Sequence, residues 1–517
     1  MTSPENETDG APPAAQVNPW AALVPICVGF FLIMMDITIV NVAIPAMLSD
    51  LPADLNQMAW VNSVYLLAYA VPLLVSGRLG DRLGRKEVFL AGLVVFTGAS
   101  LWCGLSGSPG MLIAARALQG LGAALMAPQT MALVTTVFPA HRVGAALGVW
   151  GGVAGLASTV GPLLGGLLVG TAGWEWIFLV NVPIGLAGVV LAVRLLPGGL
   201  PRNSRRFDLP GTLLSALGLL ALVFGLQNGE HFGWGRIVGP VTVPVVLGTG
   251  VLLLAAFVLW QRRTDGEPLM PLALYRGRNF GAAVVAAAAV GFAVTGLYLP
   301  LMLYLQSVLE LSPQQAGVLM VPTALSSGAV GPFAGMLSDR FGGKWVTLAG
   351  FLLFASGICL LVAVMAPDAS PWPVGVALFV CGLGTGASFA PLAHVATGGM
   401  PHELMGAASG VYNTLRQVGC VVGSAAVGVL LQARIAANGG PAGATGEFAP
   451  EQMPEALRGG IADAAGTTLL LPAGVLLLGV AACLAMRVAP ASGPGTAEGP
   501  GAAPTETVPP KEGTTPR

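Results

Sequence analysis

Two apolar stretches hold opposite charges at depths where charge is costly. Asp36 stands in FFLIMMDITIVNVAIP (residues 30–45), within an apolar run that starts near Trp20, and Arg116 stands in IAARALQGLGAA (residues 113–124). A carboxylate at the centre of a hydrocarbon layer costs roughly 2.5 to 3.5 kcal/mol, so something must offset Asp36. It falls about nine residues, roughly 13 Å, from the far end of its helix, and Arg116 about five residues, roughly 8 Å, from the corresponding end of a helix running the other way. These depths let the two charges sense one another. A third charge, Arg416 in NTLRQVG (residues 413–419), lies near mid-depth with no acid in its own stretch. It can donate to backbone carbonyls or to a substrate oxygen, or with Gln417 hold helices together.

The rest of the chain must supply the helices that carry these groups. Of its 517 residues 55% are hydrophobic and 9% charged, with a mean hydropathy of +0.78, whereas a soluble domain carries about 25% charged residues. This is an all-α integral membrane protein in a lipid bilayer. Its net charge of −1 offers nucleic acid no basic surface. The six cysteines all fall in apolar segments, with no C-x-x-C pair or His cluster, so neither a disulfide framework nor a metal site is expected. They read as packing residues, and no cofactor is expected. No phosphate-binding G-x-x-x-x-G-K-[ST] loop occurs, FGGKW (residues 341–345) being the nearest approach, so ATP is not expected as the direct energy source. Isolated ionisable groups, rather than a cluster at one face, argue against a membrane enzyme, and nothing suggests the ring of like groups a channel needs.

Windows of about 20 apolar residues predict fourteen membrane helices, starting near Trp20, Met58, Val88, Met111, Val143, Trp176, Leu209, Ile237, Phe280, Gln315, Trp345, Pro373, Gly406 and Thr468. An even number puts both termini on one side. Basic residues crowd one set of alternating loops, with Arg78, Arg82, Arg85 and Lys86 in the first and Arg340 and Lys344 in a later one, while only Arg236, Arg434 and Arg458 fall in the opposite set. By the positive-inside rule both termini are cytoplasmic, in a multi-pass protein of the cell membrane. The ends, residues 1–19 and 490–517, and an outer loop at 434–467 are rich in Gly, Ala, Pro and Glu and are expected to be mobile. The acidic N-terminus lacks the basic region of a signal peptide.

An internal repeat sets the architecture. GRLGDRLGRK (residues 77–86) recurs as GMLSDRFGGK (335–344), GLGAALMAP as GTGASFAP, and GAALGVW (144–150) as GAASGVY (406–412), after which Gly161 and Gly166 align with Gly423 and Gly428. Each match is about 260 residues and eight helices apart. Two six-helix bundles in parallel repeat, residues 20–196 and 280–489, separated by two inserted central helices in 209–260, account for an offset of eight.

These segments resemble the major facilitator superfamily. GRLGDRLGRK is similar to its loop signature, MDITIVNVAIP to the first-helix signature of the fourteen-span drug:proton antiporter branch, and GPLLGG to the fifth-helix antiporter signature. IAARALQGLGAA and NTLRQVG match further stretches, so the resemblance covers nearly the whole membrane part. It implies the major facilitator fold and, at Asp36 and Arg116, proton coupling: Asp36 takes up a proton facing outward and releases it inward as Arg116 restores the ionised form. The competing reading is an ion pair that only fixes helix packing. The resemblance also implies a bendable fifth helix around Gly161, Pro162, Gly165 and Gly166 that seals against leakage, with generic tight packing as the alternative. It departs at Trp174, Glu175 and Trp176, where the family commonly has Trp-Arg-Trp; the tryptophans read as interfacial anchors.

In the loop signatures, Gly77, Gly80 and Gly84 let helix ends approach closely, Asp81 can face a helix N-terminus, and Arg82 and Arg85 can pair with acids or lipid headgroups. Recurrence as Asp339 and Arg340 suggests a breakable cytoplasmic latch rather than a merely basic loop. His394, near an inner helix end, reads chiefly as packing. Met35, Tyr65, Tyr69, Trp150, Tyr298, Tyr412, Arg416 and Gln417, with Met34, Phe178 and Tyr304, are candidates for an adaptable substrate cavity, packing being the alternative for each. The expected function is that of a monomeric proton-coupled antiporter exporting small amphipathic molecules such as drugs or antibiotics. The alternative is a dedicated transporter of an endogenous metabolite, or an importer.

Overall fold

The computed structural model describes residues 18–487, apart from 52–54, 199–207, 230, 265–267, 276, 399, 402–403 and 439–454. Most of the two expected mobile ends, the centre of the expected outer loop, and Arg202, Arg205, Arg206 and Arg276 lie outside the described residues.

The chain folds almost wholly into helices. The first six predicted spans become α1 (Pro19–Asp50), α2 and α3 (Leu55–Ala70 and Leu73–Leu83), α4 (Arg85–Gly104), α5 (Pro109–Val137), α6 (Val143–Thr171), and α7 with α8 (Trp176–Leu179 and Asn181–Leu195). The inserted pair is α9 (Leu209–Asn228) and α10 (Val243–Arg263). The later six are α11 (Arg278–Leu303), α12 (Pro313–Phe341), α13 (Gly343–Val364), α14 (Pro371–Thr397), α15 (Met405–Ala437) and α16 (Glu455–Ala485). Thirteen of these segments are long and apolar enough to cross a membrane, and α2 with α3 makes a fourteenth that bends by 46°. The break falls at Val71–Pro72; proline has no amide hydrogen to continue the helical ladder.

Helix starts are written locally. Asn18 accepts from the Trp20 amide with Pro19 following, Ser108 accepts from Met111 with Pro109 following, and Ser312 forms a reciprocal capping box with Gln315. Each pairing satisfies amides that the first helical turn leaves open. Large apolar side chains such as Leu252, Phe333 and Trp372 point outward, as lipid-facing surface does.

Two boundaries differ from expectation. Residues 236–242 form a short antiparallel hairpin, β1 (Arg236–Val238) and β2 (Val241–Thr242), so α10 starts at Val243 rather than near Ile237. The hairpin turns at Gly239, whose φ of +53° is a conformation glycine adopts without a Cβ penalty. The expected outer loop is helical at both ends, with α15 running to Ala437 and α16 beginning at Glu455.

The repeat is visible in the packing. The first half pairs α4 with α5, α2 with α5, and α1 with α6; the second pairs α13 with α14, α12 with α14, and α11 with α15. Across the halves, α6 lies along α12 and α3 along α15. Both seams are glycine-lined. A Cβ on Gly148 would lie 2.5 Å from the Gly331 carbonyl oxygen, and one on Gly77 would meet the Gly406 carbonyl. The inserted α9 and α10 pack on each other, and α9 touches α2 and α15.

Candidate functional site

Asp36 and Arg116 meet in the buried interior. Arg116 Nη1 lies 2.5 Å from Asp36 Oδ2, and neither side chain is exposed. Arg116 also donates through Nε to the Val61 carbonyl (3.2 Å) on α2 and through Nη1 to Gln119 Oε1 (2.6 Å). Gln119, one turn along α5 from Arg116, donates through Nε2 to Asp36 Oδ1 (2.9 Å) and to Ser100 Oγ (2.8 Å). The Asn181 side chain faces the same carboxylate. A deeply buried ion pair is tolerable only when further hydrogen bonds support it; Gln119 and the Val61 carbonyl supply most of them, leaving Arg116 Nη2 unbonded.

Sequence reasoning brought Asp36 and Arg116 together and missed Gln119 and Asn181. The signal for Gln119 was its i+3 spacing from Arg116, which puts both on one helix face. The depth of Asp36 differs from expectation: α1 continues past Pro45 to Asp50, so Asp36 lies about 21 Å from that end.

The Arg116 guanidinium lies over the Tyr65 ring, 4.1 Å from its centroid. The rings of Tyr65 and Tyr69 then stack at 6.2 Å, and the Tyr69 side chain lies beside Arg416. Tyr412 and Cys420, one turn before and after Arg416 on α15, face the same guanidinium. A continuous line therefore joins Asp36 to Arg416, with Arg116, Tyr65 and Tyr69 between, across the boundary between the halves. Gln417 is nearly buried.

Other cavity candidates are placed differently. Trp150 stacks on Phe30 at 4.2 Å and donates to Thr130 Oγ1 at 3.1 Å, which is core packing within the first half. Met35 is fully buried and its carbonyl faces Gly161. Phe178 packs near Arg116, Tyr304 donates to the Ala366 carbonyl, and Met34 and Tyr298 are half-buried. A groove of about 430 Å³ lined by Trp20, Cys27, Phe31, Val149 and Ile184 contains none of the candidates. Trp174 is a correction: it is buried against Phe178, while Trp176 is exposed as an anchor would be.

The fifth predicted span, α6, uses its glycines on two neighbours. Gly144, Gly148 and Gly152 lie against α12, whereas a Cβ on Gly161 would meet Thr38 and one on Gly165 would lie 3.0 Å from Ile39 Cγ1, both on α1 beside Asp36. Gly166 faces open space, so it makes no close approach. Pro162 sits inside the helix between these contacts.

At the arginine-rich end the two signature aspartates, which the structure places in the last turns of α3 and α12 rather than in loops, each cap a helix of the opposite half. Asp81 Oδ1 accepts from the Gly406 amide at the start of α15 (3.2 Å) and from Arg85 Nη2 (3.1 Å). Asp339 accepts from the Gly144 and Ala145 amides at the start of α6 (2.9 and 3.0 Å). A carboxylate at a helix N-terminus is favoured by the amide dipoles there. Where Arg85 supports Asp81, the repeat has Gly343, and His394 Nδ1 lies 3.8 Å from Asp339 instead, near it but without a hydrogen bond. Gly84 has φ +109°, letting the chain turn directly from α3 into α4. Arg82 is exposed, and Arg340 lies near the Phe341 ring. Lys86 donates to the Val193 and Leu196 carbonyls, and Lys344 to those of Leu484 and Met486, so equivalent lysines cap equivalent helix ends.

One unpredicted cluster joins the inserted pair to this end. Asp208 accepts from the Gly211 amide (2.9 Å), Trp260 Nε1 (3.0 Å) and Gln261 Nε2 (2.6 Å). Gln261 Oε1 accepts from the Met270 amide, and Arg78 of α3 donates to the Pro268 and Leu269 carbonyls. Burial disfavours the Asp208 carboxylate, but hydrogen bonds from Gln261, Gly211, Trp260 and Leu269 outweigh it and hold its pKa below the usual aspartate value.

Comparisons with known proteins agree with this architecture. The family model described as Major Facilitator Superfamily matches residues 26–424. An uncharacterized MFS-type transporter of Mycobacterium tuberculosis is 46% identical over 90% of this chain and 81% of its own. The tetracenomycin C resistance and export protein of Streptomyces glaucescens is 34% identical over 89% of this chain and 84% of its own. Among solved structures, the human organic anion transporter MFSD10 (TETRAN) superposes with a TM-score of 0.60 at 14% identity, covering 90% of this chain and all of that one, which is a likeness of fold. With half of the chain and more inside the family model, and the repeat built into the helix packing, this protein belongs to the Major Facilitator Superfamily of membrane transporters.

Proposed function

We propose that the protein is a proton-coupled antiporter that exports small amphipathic molecules, drugs or antibiotics among them, across the cytoplasmic membrane. The observation that carries this reading is the Asp36–Arg116 pair, fully buried and cross-linked by Gln119. The pair is attractive only while Asp36 is ionised. Protonating Asp36 removes the charge that Arg116 and Gln119 are arranged around, so proton uptake alters contacts linking α1, α2 and α5. The halves at 20–196 and 280–489 rock about the site, with 209–260 inserted between them.

The latches fit this cycle. Asp81 and Asp339 close the arginine-rich end, which the positive-inside rule assigns to the cytoplasm, and opening that end must break both caps. Substrate then enters from the cytoplasm and leaves from the other face as Asp36 exchanges its proton. The export named for the Streptomyces glaucescens relative supports the outward direction. A proton gradient supplies about 1.4 kcal/mol per pH unit and about 2.3 per 100 mV, enough for at least tenfold accumulation.

The test is transport by purified protein in proteoliposomes under an imposed pH gradient, with ethidium as probe. Asp36→Asn should abolish uphill movement while ethidium still binds. Undiminished uphill transport by that variant would refute proton coupling through Asp36.

A further inference from the structure

Arg416 is the buried cation whose charge the fold leaves unanswered. It sits eleven residues into α15, about 16 Å from the helix start, and only 7% of it is exposed. Among the described residues no carboxylate pairs with it: its neighbours are Tyr69, Tyr412 and Cys420. Its Nε and Nη2 atoms are buried without a hydrogen-bond partner. The Tyr412 hydroxyl beside it is likewise unbonded, and the Tyr69 hydroxyl lies close enough to interact with the guanidinium but makes no well-aligned hydrogen bond. Arg116, by contrast, has a carboxylate partner in Asp36 and further bonds to Gln119 and a backbone carbonyl, with only its Nη2 atom left unbonded.

The pattern of unused donors is chemically specific. The Nε–H and Nη2–H bonds of a guanidinium run parallel along one edge, and that edge accepts the two oxygens of a planar carboxylate side-on. A buried guanidinium with this edge unused is strongly destabilising unless something supplies the oxygens. The Tyr69 and Tyr412 rings, fully buried beside it, would offer flat apolar surface to an aromatic body once the halves part.

Resting on the export reading above, we infer that the transported class includes amphipathic organic acids, with the planar oxyanion (a carboxylate or its vinylogous equivalent) held on the Nε–Nη2 edge of Arg416. The Tyr412 and Tyr69 hydroxyls are placed to donate to the same oxygens. The oxyanion and the exchanging proton occupy opposite ends of the Tyr65–Tyr69 stack, so the substrate acid does not compete with Asp36 for Arg116.

Equilibrium binding to the full-length protein in zwitterionic nanodiscs tests this, with 2-naphthoate, its methyl ester and the 2-naphthyltrimethylammonium cation as probes. The parent should bind naphthoate at least tenfold tighter than the other two. Arg416→Gln should erase that preference while leaving ester binding in place, and Arg416→Lys, which keeps the charge but not the parallel edge, should restore only part of it. A parent that binds acid and ester alike, or an Arg416→Gln variant that keeps the preference or loses all three probes equally, overturns the inference. If Arg416→Gln does not fold, phenylglyoxal modification of the parent decides. Naphthoate should protect Arg416 from modification and the ester should not; equal protection refutes. The two readings fail separately: a parent that selects the acid but moves nothing against a proton gradient sinks only the export reading. One that expels ethidium yet ignores the acid sinks only this inference.

Discussion

Replacing Asp339 by alanine removes two hydrogen bonds that tie the second half to the first amide groups of α6, at 2.9 and 3.0 Å. Hydrogen bonds to a charged group contribute about 1.5 to 3 kcal/mol each, and the favourable end of a helix dipole about 0.3 to 1. Asp339 is partly open to water, with its side chain 14% exposed, so each bond is discounted to about 0.75 to 1.5 kcal/mol, within the range of an ordinary hydrogen bond, and the screened dipole adds little. A combined loss of about 1.5 to 3 kcal/mol corresponds to a 10- to 150-fold shift toward the state in which the arginine-rich end is open, at about 1.4 kcal/mol per decade. Ser409 reports that opening. It is fully buried and donates to the Pro128 carbonyl across the seam (2.6 Å), so a cysteine there should react with an impermeant maleimide only when the halves separate. In a background lacking the six native cysteines, Asp339→Ala should raise the alkylation rate of Ser409→Cys by 10- to 150-fold. Asp81→Ala, which removes one longer inter-half hydrogen bond of 3.2 Å, should raise it less. Unchanged labelling in Asp339→Ala, or a larger effect from Asp81→Ala, would show that these caps do not hold the end shut.

Gly148→Val should act at the same seam from the other side, because its Cβ would press on the Gly331 carbonyl at 2.5 Å. Faster alkylation of the Ser409 reporter and a lower melting midpoint are expected, and parental values in both would contradict the steric account. For Asp208 the sign follows from a folded-state pKa held below the unfolded one. Its stabilising contribution is full above the ordinary aspartate value of about 3.9 and is lost as pH falls through the lower folded value. Asp208→Asn should therefore unfold the inserted pair more easily than the parent at pH 7, read by Trp260 fluorescence, with the gap closing toward pH 3. A gap independent of pH would mean that the charge contributes nothing.

Much of this arrangement was readable from residue order. Period and length of the apolar runs gave the fourteen spans, and a repeat offset of eight helices anticipated which helix pairs would pack alike. Asp36 and Arg116 could be matched because charge in hydrocarbon is conspicuous and depth follows from helix rise. Gln119 escaped because a neutral amide in an apolar stretch raises no alarm, and only its spacing from Arg116 marked it. The hairpin at 236–242 was hidden because Ile237, Val238 and Val241 read as the opening of the next span, until Gly239 and Pro240 are weighed as a turn. Trp174 and Trp176 look alike in sequence, yet one is buried and the other faces outward; tertiary packing decides between them. The Asp208 cluster joins residues more than fifty positions apart, which no local pattern announces.

That cluster also determines where the polypeptide can flex. Residues 268–270 are fastened on one side to Asp208 and Gln261 of the inserted pair and on the other to Arg78 of the first half. The inserted helices are therefore hydrogen-bonded to the first half through this segment, while α9 also packs on α15 of the second half, and the chain reaches α11 at Arg278 by a short crossing after Met270. Among its described residues this crossing carries a 3₁₀ turn at Leu272–Tyr275. If the halves rock as proposed, shortening or stiffening it should slow that motion without touching Asp36, Arg116 or Arg416.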